Sequence, residues 1–220
     1  LSTGISQAAA NLRSYVKENL KLYLDFKTHK ADTLKFPCEG STSFITNDYI
    51  DIGASNSLVT GNNVTFACWI KCGSTTPLAY LVWNGKGATS TNIVLGTHFN
   101  ASGGNVAGWI GALLWNGSAH GYIAVDGSID DGAWHHVVLT TTSSAQVLYL
   151  DGVSVATTTL TFANAATSDN SNIGGGAAIN EPFDGKIANV GIWSRALSLE
   201  EIQSIMRKNY NQLKGTETTS

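Results

Sequence analysis

A chain of 220 residues, 43% hydrophobic and only 13% charged, is long enough to bury one sizeable core, and its 6 Trp, 7 Tyr and 7 Phe exclude a disordered polymer. A net charge of −3, with no block of Lys or Arg beyond isolated pairs, leaves nothing from which to build a surface that tracks phosphates, so nucleic acid is excluded as a partner. No apolar run approaches the roughly 20 residues that span a bilayer, which removes the membrane as a partner as well.

Ser6 to Leu20 opens the chain with a helical pattern: Ser6 stands as a cap, and Leu12, Tyr15, Val16 and Leu20 recur at helical spacing behind an Ala run. From Leu20 the pattern changes to short runs rich in Val, Ile, Thr, Tyr, Phe and Trp, punctuated by Gly, Asn, Asp and Ser. Strands are expected near 20–26, 43–53, 63–72, 78–84, 91–98, 105–115, 119–125, 134–142, 146–156, 171–174 and 183–193. Asp151-Gly152 divides Val147-Leu148-Tyr149-Leu150 from Val153-Ser154-Val155 as a tight hairpin, because the central residues of such a turn need φ > 0. Asn84-Gly85, Asn116-Gly117, Asp126-Gly127 and Asp131-Gly132 mark further turns. A short helix follows from Ser198, with Ile202, Ile205 and Met206 on its apolar side and Glu201 at the reciprocal capping position. Many short strands without a βαβ alternation predict an all-β fold, an antiparallel β-sandwich of jelly-roll type with an N-terminal helical arm and a short C-terminal helix. The organisation expected is an arm over 1–19, one domain over 20–213 and a loose tail over 214–220.

Cys68 and Cys72 fall on one predicted strand, where four residues of extended chain separate their Cα atoms by roughly 13 Å, beyond the reach of a disulfide. They are expected as reduced, buried thiols. Cys38 lies beside Glu39, whose charge opposes thiolate formation.

Three segments carry a resemblance. They are Asp48-Tyr49-Ile50-Asp51-Ile52 followed by Val64-Thr65-Phe66-Ala67-Cys68-Trp69-Ile70-Lys71; Gly132-Ala133-Trp134-His135-His136-Val137-Val138 followed by Leu148-Tyr149-Leu150-Asp151-Gly152; and Phe183-Asp184-Gly185-Lys186-Ile187-Ala188-Asn189-Val190-Gly191-Ile192-Trp193, closed by Arg195-Ala196-Leu197-Ser198 and Glu201-Ile202. In this order and spacing they resemble the laminin-G-like branch of the concanavalin A-like jelly rolls over most of residues 20–206. The opening Asn19-Leu20-Lys21-Leu22-Tyr23-Leu24-Asp25 resembles the start of such domains in structural proteins of tailed bacteriophages. The resemblance implies two antiparallel sheets. Trp134, following a Gly turn, is expected to plug the end of the sandwich, and the adjacent His135 and His136 must point to opposite sides of their strand.

Glycosidases of this broad fold place acids in alternation on one strand, so that two carboxylates share a face as acid and nucleophile. No such string occurs here: Asp130 and Asp131 are adjacent and face apart, Glu200 and Glu201 lie on the closing helix, and Glu181 and Asp184 flank a Pro-containing turn. No serine-nucleophile elbow is present, and the chain is expected not to be an enzyme. Members of the family it resembles often hold a structural calcium through an acidic residue near the last strand. Here Ala188 occupies that position, leaving Asp25, Asp184 and backbone carbonyls, fewer oxygens than calcium requires, so no cofactor is expected.

Recognition remains. Trp83, Trp109 and Trp115 fall in Gly- and Asn-rich stretches, where aromatic rings form platforms for the apolar face of a sugar, against the plainer alternative of core or interface packing. The expectation is a non-catalytic interaction protein: a virion component such as a capsid decoration or fibre, docked onto other protein subunits by its arm and able to bind polysaccharide, at a virion surface or outside the cell. The alternative is the carbohydrate-binding module of a secreted polysaccharide-active protein.

Overall fold

A computed structural model of the chain describes residues 20–24, 40–45, 48–54, 58–59, 61–73, 78–84, 93–100, 102, 104–115, 119–160, 162, 170–175, 182–208 and 212–213. The predicted arm over 1–19, the tail over 214–220, Asp25, Cys38 and Glu181 lie outside the described residues. Thirteen strands are described: β1 (Leu20–Leu24), β2 (Thr42–Phe44), β3 (Ile50–Ala54), β4 (Val64–Cys72), β5 (Ala79–Asn84), β6 (Ile93–Phe99), β7 (Asn105–Trp115), β8 (His120–Asp126), β9 (His135–Thr141), β10 (Gln146–Leu150), β11 (Val153–Thr158), β12 (Asn170–Ile173) and β13 (Gly185–Trp193). One helix closes the chain, α1 (Leu199–Ile205).

The strands form two antiparallel sheets. The first runs β1-β13-β4-β9-β10-β11, with β2 also pairing β13, and the second runs β3-β12-β5-β6-β7-β8. Alternation along each strand sends one set of side chains between the sheets. Phe66, Cys68 and Ile70 of β4, Val137 and Leu139 of β9, and Ile187, Val190 and Ile192 of β13 meet Ile93, Leu95, Ile110, Ala112 and Leu114 of the second sheet in the main core. One departure from expectation is local. The run 43–53 divides into β2 and β3, because Asp48 accepts a hydrogen bond from the Ile45 amide and turns the chain at 45–48. Residues 146–156 form the hairpin expected from Asp151-Gly152: Asp151 (φ 50°) and Gly152 (φ 79°) both take the left-handed conformation that the turn requires.

The first sheet is covered on its outer face too. There Ala67, Val138 and Trp193 pack with Leu197, Ile202, Ile205 and Leu213, so α1 lies against the sheet. The helix begins with the capping box anticipated from Ser198 and Glu201. Glu201, only 4% exposed, also receives both guanidinium nitrogens of Arg195 at 2.8 and 2.6 Å, a bidentate pair that fixes the approach to the helix. Thr65 completes the attachment, donating to the Arg195 carbonyl and accepting from the Leu197 amide. Gly191 leaves room for the Trp193 ring, since a Cβ there would come within 2.3 Å of it.

Trp134 corrects the expectation of a plug at the sandwich end. It shares parity with His136 and Val138, so its ring lies on the outer face of the first sheet with Trp69 and Ala188, and Met206 packs against the cluster. Cys68 and Cys72 are free and buried, as expected of structural thiols; burial, with Asp130 and Asp131 nearby, pushes Cys72 up to about 12. With Trp134 only 9% exposed, Trp134→Ala is expected to cost about 3–5 kcal/mol in chemical denaturation. A change below about 1 kcal/mol would place the ring in solvent and overturn this packing.

Candidate glycan-binding face and the histidine clamp

The outer face of the second sheet is built by alternation. Ile110, Ala112 and Leu114 of β7 belong to the core, so Trp109, Gly111, Leu113 and Trp115 take the other face. On β8 the outer partners are Asp126 opposite Trp109, Ala124 opposite Gly111, Tyr122 opposite Leu113 and His120 opposite Trp115. Register carries the row onward through Leu113–Val94, Val94–Trp83, Trp83–Asn172 and Asn172–Asp51. Trp83, Val94 and Leu113 form their own cluster, against which Tyr80 and Tyr122 pack.

All three tryptophans named from the sequence therefore share this face, on the strands expected over 78–84 and 105–115. Their surroundings differ. Trp83 is 2% exposed, edge-on to Tyr80 with ring centroids 6.2 Å apart. Its Nε1 and the Oδ1 of its neighbour Asn172 are buried without hydrogen-bond partners. Trp109 and Trp115 are half-buried. The Trp115 ring lies 4.5 Å from His120, which lies 6.2 Å from Tyr122, a ladder of three rings at the end of the face. Burial holds the His120 imidazole below its usual pKa, so it serves as a neutral aromatic partner near pH 7. Six residues of strand separate Trp109 from Trp115 by about 20 Å, enough to bracket several sugar units. The six strands of this sheet contain no Lys or Arg, and the charged residues on its outer face are Asp51 and Asp126.

A second constellation escaped the sequence. His135 and His136 do take opposite sides, but neither is solvated. His135 Nδ1 lies 2.9 Å from Asp151 Oδ2 and its Nε2 3.2 Å from Asp131 Oδ1. The hydrogen bond to Asp151, aided by Asp131 against the cost of burial, raises the His135 pKa. Asp131 is held low first by the Ala133 amide and then by His135. Burial pushes Asp151 upward, but His135 and the backbone amide of His136 outweigh it and hold Asp151 low. His136 packs against Trp69 at 5.3 Å, and burial drives its pKa down to about 3 despite the nearby Asp151. With both nitrogens occupied by carboxylates, His135 offers neither a base nor an acid to a substrate; the group clamps the β10–β11 hairpin to the start of β9. Ala188, where calcium ligation was in question, is buried against Trp69 and Trp134, and Asp184 is exposed. Among the described residues no helix is long and apolar enough to cross a membrane.

A family model described as the Concanavalin A-like lectin/glucanases superfamily matches residues 44–203. No curated protein is matched. Among solved structures, the carbohydrate-binding module CBM40 of the Ruminococcus gnavus IT-sialidase, bound to alpha2,3 sialyllactose, is similar at 18% identity and a TM-score of 0.58, over 76% of this chain and 97% of that one. The receptor-binding domain of botulinum neurotoxin mosaic serotype C/D is similar at 15% identity and a TM-score of 0.64, over 87% of this chain and 51% of that one. The leech intramolecular trans-sialidase, complexed with 2,7-anhydro-Neu5Ac, is similar at 19% identity and a TM-score of 0.54, over 76% of this chain and 28% of that one.

The two histidines give stability opposite slopes in pH. Protonated His135, its pKa raised, stabilises the fold fully below its unfolded value of about 6.5, and this is lost as pH rises through the folded value. His136, its pKa lowered, stabilises above about 6.5, and this is lost as pH falls toward about 3. In urea titrations the stability gap between wild type and His135→Gln is expected to shrink from pH 5.5 to pH 8.5; a gap that widens would contradict the clamp.

Proposed function

We propose that this chain, which belongs to the Concanavalin A-like lectin/glucanases superfamily, is a non-catalytic domain that binds neutral glycans on the outer face of its second sheet. The observation that carries this reading is the half-buried ladder Trp115–His120–Tyr122 on a face whose strands lack Lys and Arg. Stacked rings take the apolar face of a pyranose, and Asp126 beside Trp109 supplies an acceptor for sugar hydroxyls. Trp83, buried beneath Tyr80 and Tyr122, acts as the floor that orients them. The similar CBM40 is recorded with sialyllactose. A sialyl carboxylate calls for a cation, which the strands of this face do not provide, so its preference runs to uncharged sugars.

The finer reading, a virion decoration or fibre attached to other subunits through residues 1–19, is supported by the helical spacing of Leu12, Tyr15 and Val16 and by the resemblance of the opening strand. Its test is the mass in solution: the full chain runs above monomer and a chain lacking 1–19 runs as monomer. A monomeric full chain would refute docking of one copy onto another.

For the glycan reading, a glycan array is expected to yield saturable binding to neutral oligosaccharides, and Trp115→Ala to weaken it at least about tenfold, near 1.4 kcal/mol. No binding to any neutral glycan at millimolar concentration would overturn the proposal.

A further inference from the structure

We propose a second sugar subsite on the outer face of the second sheet, at its β3–β12 margin, which takes a neutral pyranose by two neighbouring hydroxyls. It rests on the glycan reading above but lies across the sheet from the Trp115–His120–Tyr122 ladder. Along one register row, five strand spacings, about 24 Å, separate Asp51 on β3 from Tyr122 on β8.

Ile50 and Ile52 pack toward the core, so Asp51 between them faces outward, where it is exposed. The Gly53 amide donates to Asp51 Oδ1 at 2.9 Å, and Asn170 Nδ2 donates to Oδ2. These two bonds fix the plane of the carboxylate and leave each oxygen able to accept once more. The donors that match two oxygens held side by side are hydroxyls on adjacent carbons. From this rim the row passes to two buried groups. Asn172, 5% exposed, stands opposite Asp51 on one side and opposite Trp83, 2% exposed, on the other. Asn172 Oδ1 and Trp83 Nε1 have no hydrogen-bond partner among the described residues. One hydroxyl serves both, donating to the amide oxygen and accepting from the indole. Tyr49, two residues before Asp51 and 42% exposed, offers an aromatic ring to the apolar side of the sugar. The strands of this sheet carry no Lys or Arg to offset Asp51, which therefore repels carboxylated and sulfated sugars. The two ends of the face thus divide the work. Stacking on the ladder holds a sugar whatever its hydroxyl pattern, whereas the β3–β12 margin penalises a ligand that lacks the hydroxyls, because buried polar groups then stay unpaired.

The test is an NMR titration of the full chain, labelled with ¹⁵N, at millimolar ligand. The probes are methyl β-galactoside, methyl α-mannoside and methyl β-glucoside, each beside its fully O-methylated form, which keeps the ring but lacks the donors. At least one free glycoside is expected to saturate and to shift the Trp83 indole N–H, identified by its absence in Trp83→Phe. Its O-methylated form is expected to bind at least about tenfold more weakly, and Asp51→Ala to weaken the free glycoside about tenfold. Because Asp51 is exposed, its removal leaves the fold intact, which the thermal midpoint checks. Trp115→Ala leaves glycoside binding unchanged. O-methylated forms that bind as tightly, affinity that survives Asp51→Ala, or glycoside binding lost in Trp115→Ala would each overturn the subsite. So would failure of every glycoside while neutral oligosaccharides still bind through Trp115, an outcome that leaves the broader glycan reading standing. Failure of oligosaccharides and glycosides alike would overturn both.

Discussion

The structure depends on a single constraint: the first sheet is buried on both faces. Strand β4 shows it most plainly, for Phe66, Cys68 and Ile70 point into the sandwich while Thr65, Ala67 and Trp69 are equally inaccessible on the other side. A strand apolar in both directions needs a second cover, and α1 with Leu197 and Leu213 supplies it. The bidentate contact between Arg195 and Glu201 is the polar hinge of that cover, since it aligns the helix start with the Thr65 hydroxyl. With one sheet committed to packing, recognition falls to the other sheet, where the two proposed sites lie.

Electrostatics follows the same division. The ionisable groups of the first sheet are drawn to its margins: the Asp131–His135–Asp151 clamp at one hairpin and the lysine pair at the outset of β13. The clamp is inert because its geometry is complete, and His136 one residue away is inert for the contrary reason, its charge excluded by burial against Trp69. Neighbouring residues of one type thus answer to pH in opposite senses, because a strand turns successive side chains into different surroundings.

How far this was legible in the chain depends on whether the signal is local. The Asp151-Gly152 hairpin and the Ser198–Glu201 capping box are specified within four residues, and both form as expected. The opposition of His135 and His136 likewise needs only the period of two. What was not legible is long-range: Asp131 and Asp151 converge on His135 only once β10 pairs with β9, and Lys71 meets Lys186 across strands more than a hundred residues apart. Trp134 shows the limit of alternation itself, which gives its side of the strand but not what covers that side. The common face of Trp83, Trp109 and Trp115 was hidden for the same reason, since the order β5-β6-β7 had to be known.

Buried polar atoms without hydrogen-bond partners occur in both sheets, His136 Nδ1 in the first among them, and those of the second sheet differ in where they point. Trp83 Nε1, Asn172 Oδ1, Thr97 Oγ1 and both ring nitrogens of His98 are buried there without partners, and His98 itself adopts a left-handed backbone (φ 61°). A buried donor or acceptor left unpaired costs about 1–3 kcal/mol; Thr97 lies opposite core-facing Ile110 and points between the sheets, whereas Trp83 and Asn172 lie on the outer face. In the first sheet the Thr65 hydroxyl, at the core of the helix attachment, is satisfied twice. Trp83 and Asn172 stand side by side as an unused donor and an unused acceptor beneath the aromatic row, and a sugar hydroxyl is a group that serves both at once. Of the unpartnered groups, the Trp83–Asn172 pair is the one that packs against the aromatic surface assigned to glycans.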